Sequence, residues 1–231
     1  MADQASAGRS LRQAKSNKQA KEIADYLCSR DKKLAELIEE VGEYKLPVNA
    51  LQSTYEALAE SIIYQQITGK AAASIFNKVV EQLGQGRAGQ KTFPKAESLL
   101  KRSPEELRAC GLSGSKQLAL LDLAARTKEG AVPDIEEMNS LSDEELIEKL
   151  VTIRGIGTWT VQMLLIFRLG RPDVMPHTDY GIRKGFTRTF PRLGKKAKDG
   201  LATPASVLAR AELWRPYRTC ASWYLWRATE L

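Results

Sequence analysis

One histidine, His177, and three cysteines more than eighty residues apart leave little material for a metal centre, an iron-sulfur cluster or a disulfide framework. Also missing is any apolar run of the ~18 residues that a membrane span requires. The first residues are polar and basic where a secretory leader would carry an apolar stretch, so an intracellular setting is expected. No segment alternates apolar and polar residues over strand length, and no repeat of solenoid type occurs. What remains, with 231 residues and 43% hydrophobic content, is a chain long enough for one domain or two closely joined lobes, built from helices.

Acidic residues are absent from one stretch in particular. Positions 183–198 hold Arg183, Lys184, Arg188, Arg192, Lys195, Lys196 and Lys198 with no acid, and positions 1–21 hold Arg9, Arg12, Lys15, Lys18 and Lys21 against Asp3 alone. These two segments contain more than the whole net charge of +7, so the positive field is patchy and a polyanion is the expected partner. Taken alone, such clusters equally suit a solvated surface. Residues 1–20 show no apolar face and are expected to form a mobile basic arm.

Beyond the arm the apolar residues recur at three and four. Ile23, Tyr26 and Leu27 are followed by Leu34, Leu37, Ile38 and Val41; Ala72, Ile75, Phe76, Val79, Val80 and Leu83 make the cleanest stripe. Ser53 with Glu56, Ser103 with Glu106 and Ser142 with Glu145 carry the spacing of reciprocal N-terminal caps, and Pro104 fits a first helical position. Breaks fall at the glycine-bearing segments 84–89, 111–114, 130–133, 155–157 and 170–176. The expected class is all-α.

The most informative stretch is LVTIRGIGTWTVQ, residues 150–162, where one apolar-faced helix ends and another begins across Gly155-Ile156-Gly157. Side chains are missing at 155 and 157, so the turn can adopt positive backbone angles and bring its amides close to another surface, while Ile156 packs inward. Amides open at a helix start bind anions without reading sequence. A bare Gly-x-Gly turn also suits a plain helix connection.

The continuation RGIGTWTVQMLLIFRLGRPDVMPHTDYGIRKGF, residues 154–186, resembles the helix-hairpin-helix base-excision glycosylases, specifically the 3-methyladenine DNA glycosylase II branch. The likeness extends back through SIIYQQI at 61–67 and forward to WRPYR at 214–218, covering about residues 50 to 230. It implies two helical lobes with a DNA cleft between them. One lobe is the bundle 50–168 with the hairpin at about 146–168; the other joins 21–49 to 169–231. The mixed N-terminal domain of some bacterial members is not expected, because nothing before residue 50 has strand patterning.

The resemblance assigns roles. Asp179 takes the position of the catalytic carboxylate, which stabilises a positively charged sugar or activates water; by local spacing it suits a helix N-cap as well. Trp159 stands where bifunctional relatives carry a lysine, which implies a monofunctional hydrolase with an indole free to stack on an extruded base. Met163, Trp226 and Tyr64 are candidates for the base pocket, with core packing as the plain alternative. Arg154, Gly155, Ile156, Gly157 and Thr158 form the expected phosphate grip, supported by Lys116, Arg183 and Lys184. Gln66, Ile67 or Thr68 would enter the duplex, while Gln65 and Gln66 could instead cap and bridge helices. His177 is read as a loop residue beside the site.

The implied substrate is duplex DNA bearing 3-methyladenine, 7-methylguanine, hypoxanthine or ethenoadenine, acted on by a monomer without metal or other cofactor. The alternative from another class is a helix-hairpin-helix protein that binds damage without cutting. The site would be the nucleus of a eukaryote or the nucleoid of a bacterium.

Overall fold

The computed structural model describes residues 18–49, 51–87, 89–193 and 196–231, and these are helical, with two isolated antiparallel bridges and no strand among them. The chain divides into two compact units, one holding the residues up to Val48 together with Gly170–Leu231, the other Asn49–Leu169. Up to residue 17 the expected mobile arm lies outside the described residues. Its last part, 18–20, already belongs to α1 (18–30), where Lys18 and Glu22 face each other one turn apart at 3.8 Å on the solvent side.

In the first unit, α1 and α2 (Lys32–Val41) precede α11 (Tyr180–Thr189), α12 (Pro204–Ala211), a 3-10 turn (Glu212–Trp214) and α13 (Arg218–Arg227). Helix α13 is the spine, with every residue from Thr219 to Leu225 buried and α2 and α11 packed on it. Leu27, Leu34, Phe186, Trp214 and Tyr224 are fully covered and supply most of this unit's large core side chains.

One charge is buried in that core. Asp31, only 2% exposed, caps α2 by accepting from Lys33 and Leu34 amides, and it also accepts both arms of the Arg210 guanidinium at 2.7 and 2.8 Å and the Trp214 indole at 2.9 Å. Burial pushes its pKa up, but the hydrogen bonds from Arg210 and Trp214 together with the Arg210 charge outweigh it, so the carboxyl titrates below its ordinary 3.8. Five hydrogen bonds to one carboxylate tie the start of α2 to α12 and the 3-10 turn that follows it, about 180 positions away in sequence.

The second unit runs through α3 (Thr54–Tyr64), α4 (Gly69–Leu83), α5 (Ala96–Leu99), α6 (Pro104–Ala109), α7 (Gly114–Lys128), α8 (Ile135–Ser140), α9 (Asp143–Leu150) and α10 (Thr158–Phe167). Helix α7 is covered by α3, α5 and α6, and Leu58, Ile62, Leu120 and Leu123 close the space between them. The glycine-bearing breaks fall between these helices, as the sequence implied. Reciprocal caps form at Ser103–Glu106 and Ser142–Glu145, whereas Ser53 makes the serine half of its box, accepting from the Glu56 amide.

Replacing Asp31 by Asn should lower the unfolding free energy by about 3 kcal/mol, because a half-buried guanidinium loses its counter-charge. The carboxylate's contribution is fully present above pH 3.8 and is lost as pH falls through the depressed folded-state value, so urea titrations of the variant should show a shallower loss of stability in acid than the parent.

Candidate active site and nucleic-acid interface

Asp179 stands at the N-cap of α11, where its Oδ1 accepts the Ile182 amide at 2.8 Å and the Trp226 indole N–H at 2.9 Å. The expected helix cap is therefore formed, and the same oxygen is also held by a neighbour from α13. The approach depends on small residues. A Cβ on Gly181 would stand 2.8 Å from the Trp226 ring and one on Gly185 would stand 1.8 Å from the Leu225 carbonyl oxygen, so glycine at both lets α11 lie directly on α13. Asp179 is half-buried, and the next residue, Tyr180, is 67% exposed.

The loop that carries Asp179 is held from below. Asp173 receives Arg218 Nε at 2.7 Å and Arg215 at 2.7 Å, and the Thr219 hydroxyl donates to the Arg171 carbonyl while accepting the Val174 amide. Thr219 also gives its own amide to Pro172, and Ser222 reaches the Val174 carbonyl. His177 is half-buried, its Nδ1 3.3 Å from the Met175 carbonyl. The first turns of α13 thus grip residues 171–174 and leave 177–180 to project.

In the second unit, α9 and α10 are joined by a turn in which Gly155 has φ +80°, the left-handed region that favours glycine. Ile156 is buried at 4% exposure and ties the two helices, while Arg154, Gly155, Gly157 and Thr158 face solvent. Gly157 occupies the N-cap of α10 and so offers no side chain to its first amides. The glycine-bearing turn before α7 differs: Gly111 is also left-handed, at φ +92°, but Ser113 caps α7 by accepting from the Lys116 amide. Of the two turns, only the one at 155–157 keeps its helix start open to an anion.

Facing this hairpin is the loop between α3 and α4. Gln65 gives its side-chain amide to the Gly155 carbonyl at 2.9 Å and to the Thr160 hydroxyl at 3.4 Å, so it takes the bridging role. Gln66 has φ +58°, the one non-glycine in the left-handed region among the described residues, and is exposed, as is Ile67. Thr68 uses its hydroxyl to cap α4. Between loop and hairpin lies a hollow of about 520 Å³ walled by Tyr64, Gln65, Gln66, Trp159, Thr160 and Met163, with Trp159 42% exposed.

Tyr64, Met163 and Trp159 therefore meet in one hollow, whereas Trp226 belongs to the other unit, beside Asp179. A larger hollow, about 720 Å³, is walled by α1, residues 43–48 and residues 170–172, but none of the expected chemical residues lines it. Two expected phosphate contacts turn inward. Arg183 is spent on the Ala202 carbonyl and Asp199, its side chain 14% exposed, because Asp199 follows the basic run and folds back onto α11. Lys116 gives its ammonium to the Ile63 carbonyl at the C-terminus of α3, and burial pushes its pKa below the usual lysine value. Lys184 and Arg188 are exposed. The Asp173–Arg218 clamp and the exposed Tyr180 were missed; the opposite charges of RPD and WRPYR were the available signal for the first. Among the described residues no group of three or more His, Cys, Asp or Glu is arranged to hold a metal.

The family model for the HhH-GPD superfamily base excision DNA repair protein matches residues 59–211. DNA-3-methyladenine glycosylase 1 of Schizosaccharomyces pombe is 40% identical over 208 residues, 89% of this chain and 86% of that protein. The putative DNA-3-methyladenine glycosylase YfjP of Bacillus subtilis is 34% identical over 178 residues, 77% of this chain and 60% of that one. Among solved structures, the S. pombe 3-methyladenine DNA glycosylase in complex with abasic DNA superposes with a TM-score of 0.76 at 39% identity, covering 91% of this chain and 97% of that one.

Thr219→Val deletes the hydroxyl that holds both Val174 and Arg171. It should cost about 1–3 kcal/mol, since the buried Val174 amide is left without its acceptor, and hydrogen exchange at Val174 should accelerate while the second unit's amides keep their protection.

Proposed function

Since this chain belongs to the HhH-GPD superfamily of base excision DNA repair proteins, in its alkylpurine DNA glycosylase branch, we propose that it removes the damaged base by hydrolysis with Asp179 as its one essential carboxylate. It is an N-glycosyl hydrolase of base excision repair and acts on DNA. Methylation at N3 or N7 makes a purine cationic, so the C1′–N bond breaks with its electron pair leaving on the base, which departs neutral. Positive charge then builds on the deoxyribose. A carboxylate fixed beside that carbon stabilises the charge and orients the water that adds to C1′ and sheds a proton, giving a free base and an abasic site. The support for Asp179 in this role is the geometry at Oδ1, where a backbone amide and the Trp226 indole orient the carboxylate.

Trp159 is an indole where a bifunctional enzyme needs an amine, so no imine to the sugar forms and the strand is left uncut. Its exposed face in the 520 Å³ hollow suits stacking on an electron-poor base, with Tyr64 and Met163 as neighbouring walls and Trp226 acting through Asp179. The hairpin amides from Gly155 to Thr158 hold a phosphate, assisted by Arg154, and Lys184 in the first unit adds its own attraction for the DNA backbone. Gln66 and Ile67, both exposed, are the residues that enter the duplex, because Thr68 is committed to a cap. The lesions are 3-methyladenine and 7-methylguanine, with hypoxanthine and ethenoadenine as further purines, and one copy of the chain suffices. No described helix is long and apolar enough to cross a membrane.

The test is release of free 3-methyladenine and 7-methylguanine from methylated duplex DNA in the presence of EDTA. Parent protein should release both, leave the strand intact until it is heated in alkali, and give no covalent adduct with borohydride. Trp159→Ala should release them about ten-fold more slowly or worse through loss of stacking. Tight binding without base release would contradict the reading and leave a damage-binding module.

A further inference from the structure

The side chain of Gln65 joins two parts of the second unit that the sequence separates by ninety residues. Its amide nitrogen donates to the Gly155 carbonyl inside the hairpin and to the hydroxyl of Thr160 on the first turn of α10. Residue 65 is the C-cap of α3, with φ −61° and ψ 136°, and the next residue is Gln66 at φ +58°. A non-glycine residue in the left-handed region is strained and persists where its surroundings over-determine it. Here the constraints are visible on both sides. Upstream, the amide of Gln65 is fastened to the hairpin and the Ile63 carbonyl is fastened by the Lys116 ammonium at 2.6 Å. Downstream, Thr68 caps α4 by accepting the Ala71 amide, and Gln66 and Ile67 are left as the exposed span between two anchors.

We propose that Gln65 is a positioning residue that couples the phosphate-gripping hairpin to the loop that enters the duplex, holding Gln66 and Ile67 poised for insertion. The inference rests on the glycosylase reading and assigns to that site a mechanical link. Hydrogen bonding to Gly155 lets one rigid body grip the backbone and press the loop into the stack, so the energy of phosphate binding is not dissipated in ordering the loop. Gln65 does not touch the reacting carbon in this scheme and acts through the loop and the hairpin. Its side chain also forms part of the wall of the hollow at Trp159, so the tether fixes the rim of the proposed base site as well.

Two variants separate this from a purely structural role. Gln65→Leu keeps approximate size without donors, and Gln65→Glu keeps length but turns a carboxylate oxygen toward the Gly155 carbonyl. Three readings are taken with each: affinity for undamaged duplex, the fluorescence rise of 2-aminopurine placed next to an abasic analogue, and single-turnover excision from methylated duplex at saturating protein. Both variants should bind undamaged duplex within about two-fold of the parent, while insertion and excision slow by about ten-fold or more. Excision should recover toward the parent rate when the methylated purine sits in a bulge that needs no extrusion. The proposal is overturned if excision and insertion stay within two-fold in duplex, or if affinity for undamaged DNA falls in step with excision and the bulged substrate brings no recovery. The 2-aminopurine signal on the abasic analogue needs no base release, so it tests the coupling even if the parent protein proves unable to excise.

Discussion

A single oxygen, Oδ1 of Asp179, accepts the Ile182 amide and the Trp226 indole, and much of the first unit is arranged so that it can. Helix α11 must start at residue 180, which the cap secures, and must lie against α13 closely enough for an indole N–H to reach the cap. Gly181 and Gly185 permit that approach, and the covered spine from Thr219 to Leu225 gives it a fixed base. The same helix then clamps residues 171–174 through Arg218, Thr219 and Ser222, so the segment leading into Asp179 is fastened along its first half and presented along its second. Asp31 does equivalent work at the far side, joining α2, α12 and the 3-10 turn through Arg210 and Trp214. In the proposed role of Asp179 such rigidity would serve function, because an electrostatic contribution to a transition state is large only when the charge is oriented in advance.

The second unit has a different task in the proposed function, which is to hold a polyanion without reading its sequence. A helix start with no capping side chain, a left-handed glycine and a buried isoleucine at the turn give open amides on a firm support. The lysines and arginines have mixed duties. Lys116 serves the C-terminus of α3, and in the first unit Arg183 is committed to Asp199 and Ala202, so long-range attraction falls to exposed residues such as Lys184 and Arg188. Basic composition alone overstated the number of cations available to DNA.

Local chemistry was the legible part of the sequence. Ser103 and Ser142 form the boxes their spacing announced, Ile156 turns inward, and the glycine-bearing breaks separate helices, because each of these depends on residues within a few positions of one another. The Ser53 box closes on one side only, which spacing does not reveal. Asp179 was assigned a catalytic role through resemblance; neighbouring residues alone suited a cap, and the cap is the bond that the structure gives it. Contacts across long separations were not legible. Gln65 to Gly155, Asp173 to Arg218 and Asp31 to Arg210 join residues 90, 45 and 179 positions apart; a bridging Gln65 was expected and opposite charges hinted at the second pair, but no periodicity names the partners. The inward turn of Arg183 follows from where the chain after 190 returns, which a run of like charges hides.

The central claim is that one carboxylate both caps α11 and carries the chemistry, and Asp179→Asn separates the two, since an asparagine oxygen can keep both hydrogen bonds while the charge is lost. Unfolding free energy, affinity for an abasic-analogue duplex and single-turnover base release are measured on the same preparation. The account predicts stability within about 1 kcal/mol of the parent, binding retained, and base release reduced by about a hundred-fold or more. Release at the parent rate by a variant of unchanged stability would contradict it and reduce Asp179 to a helix cap.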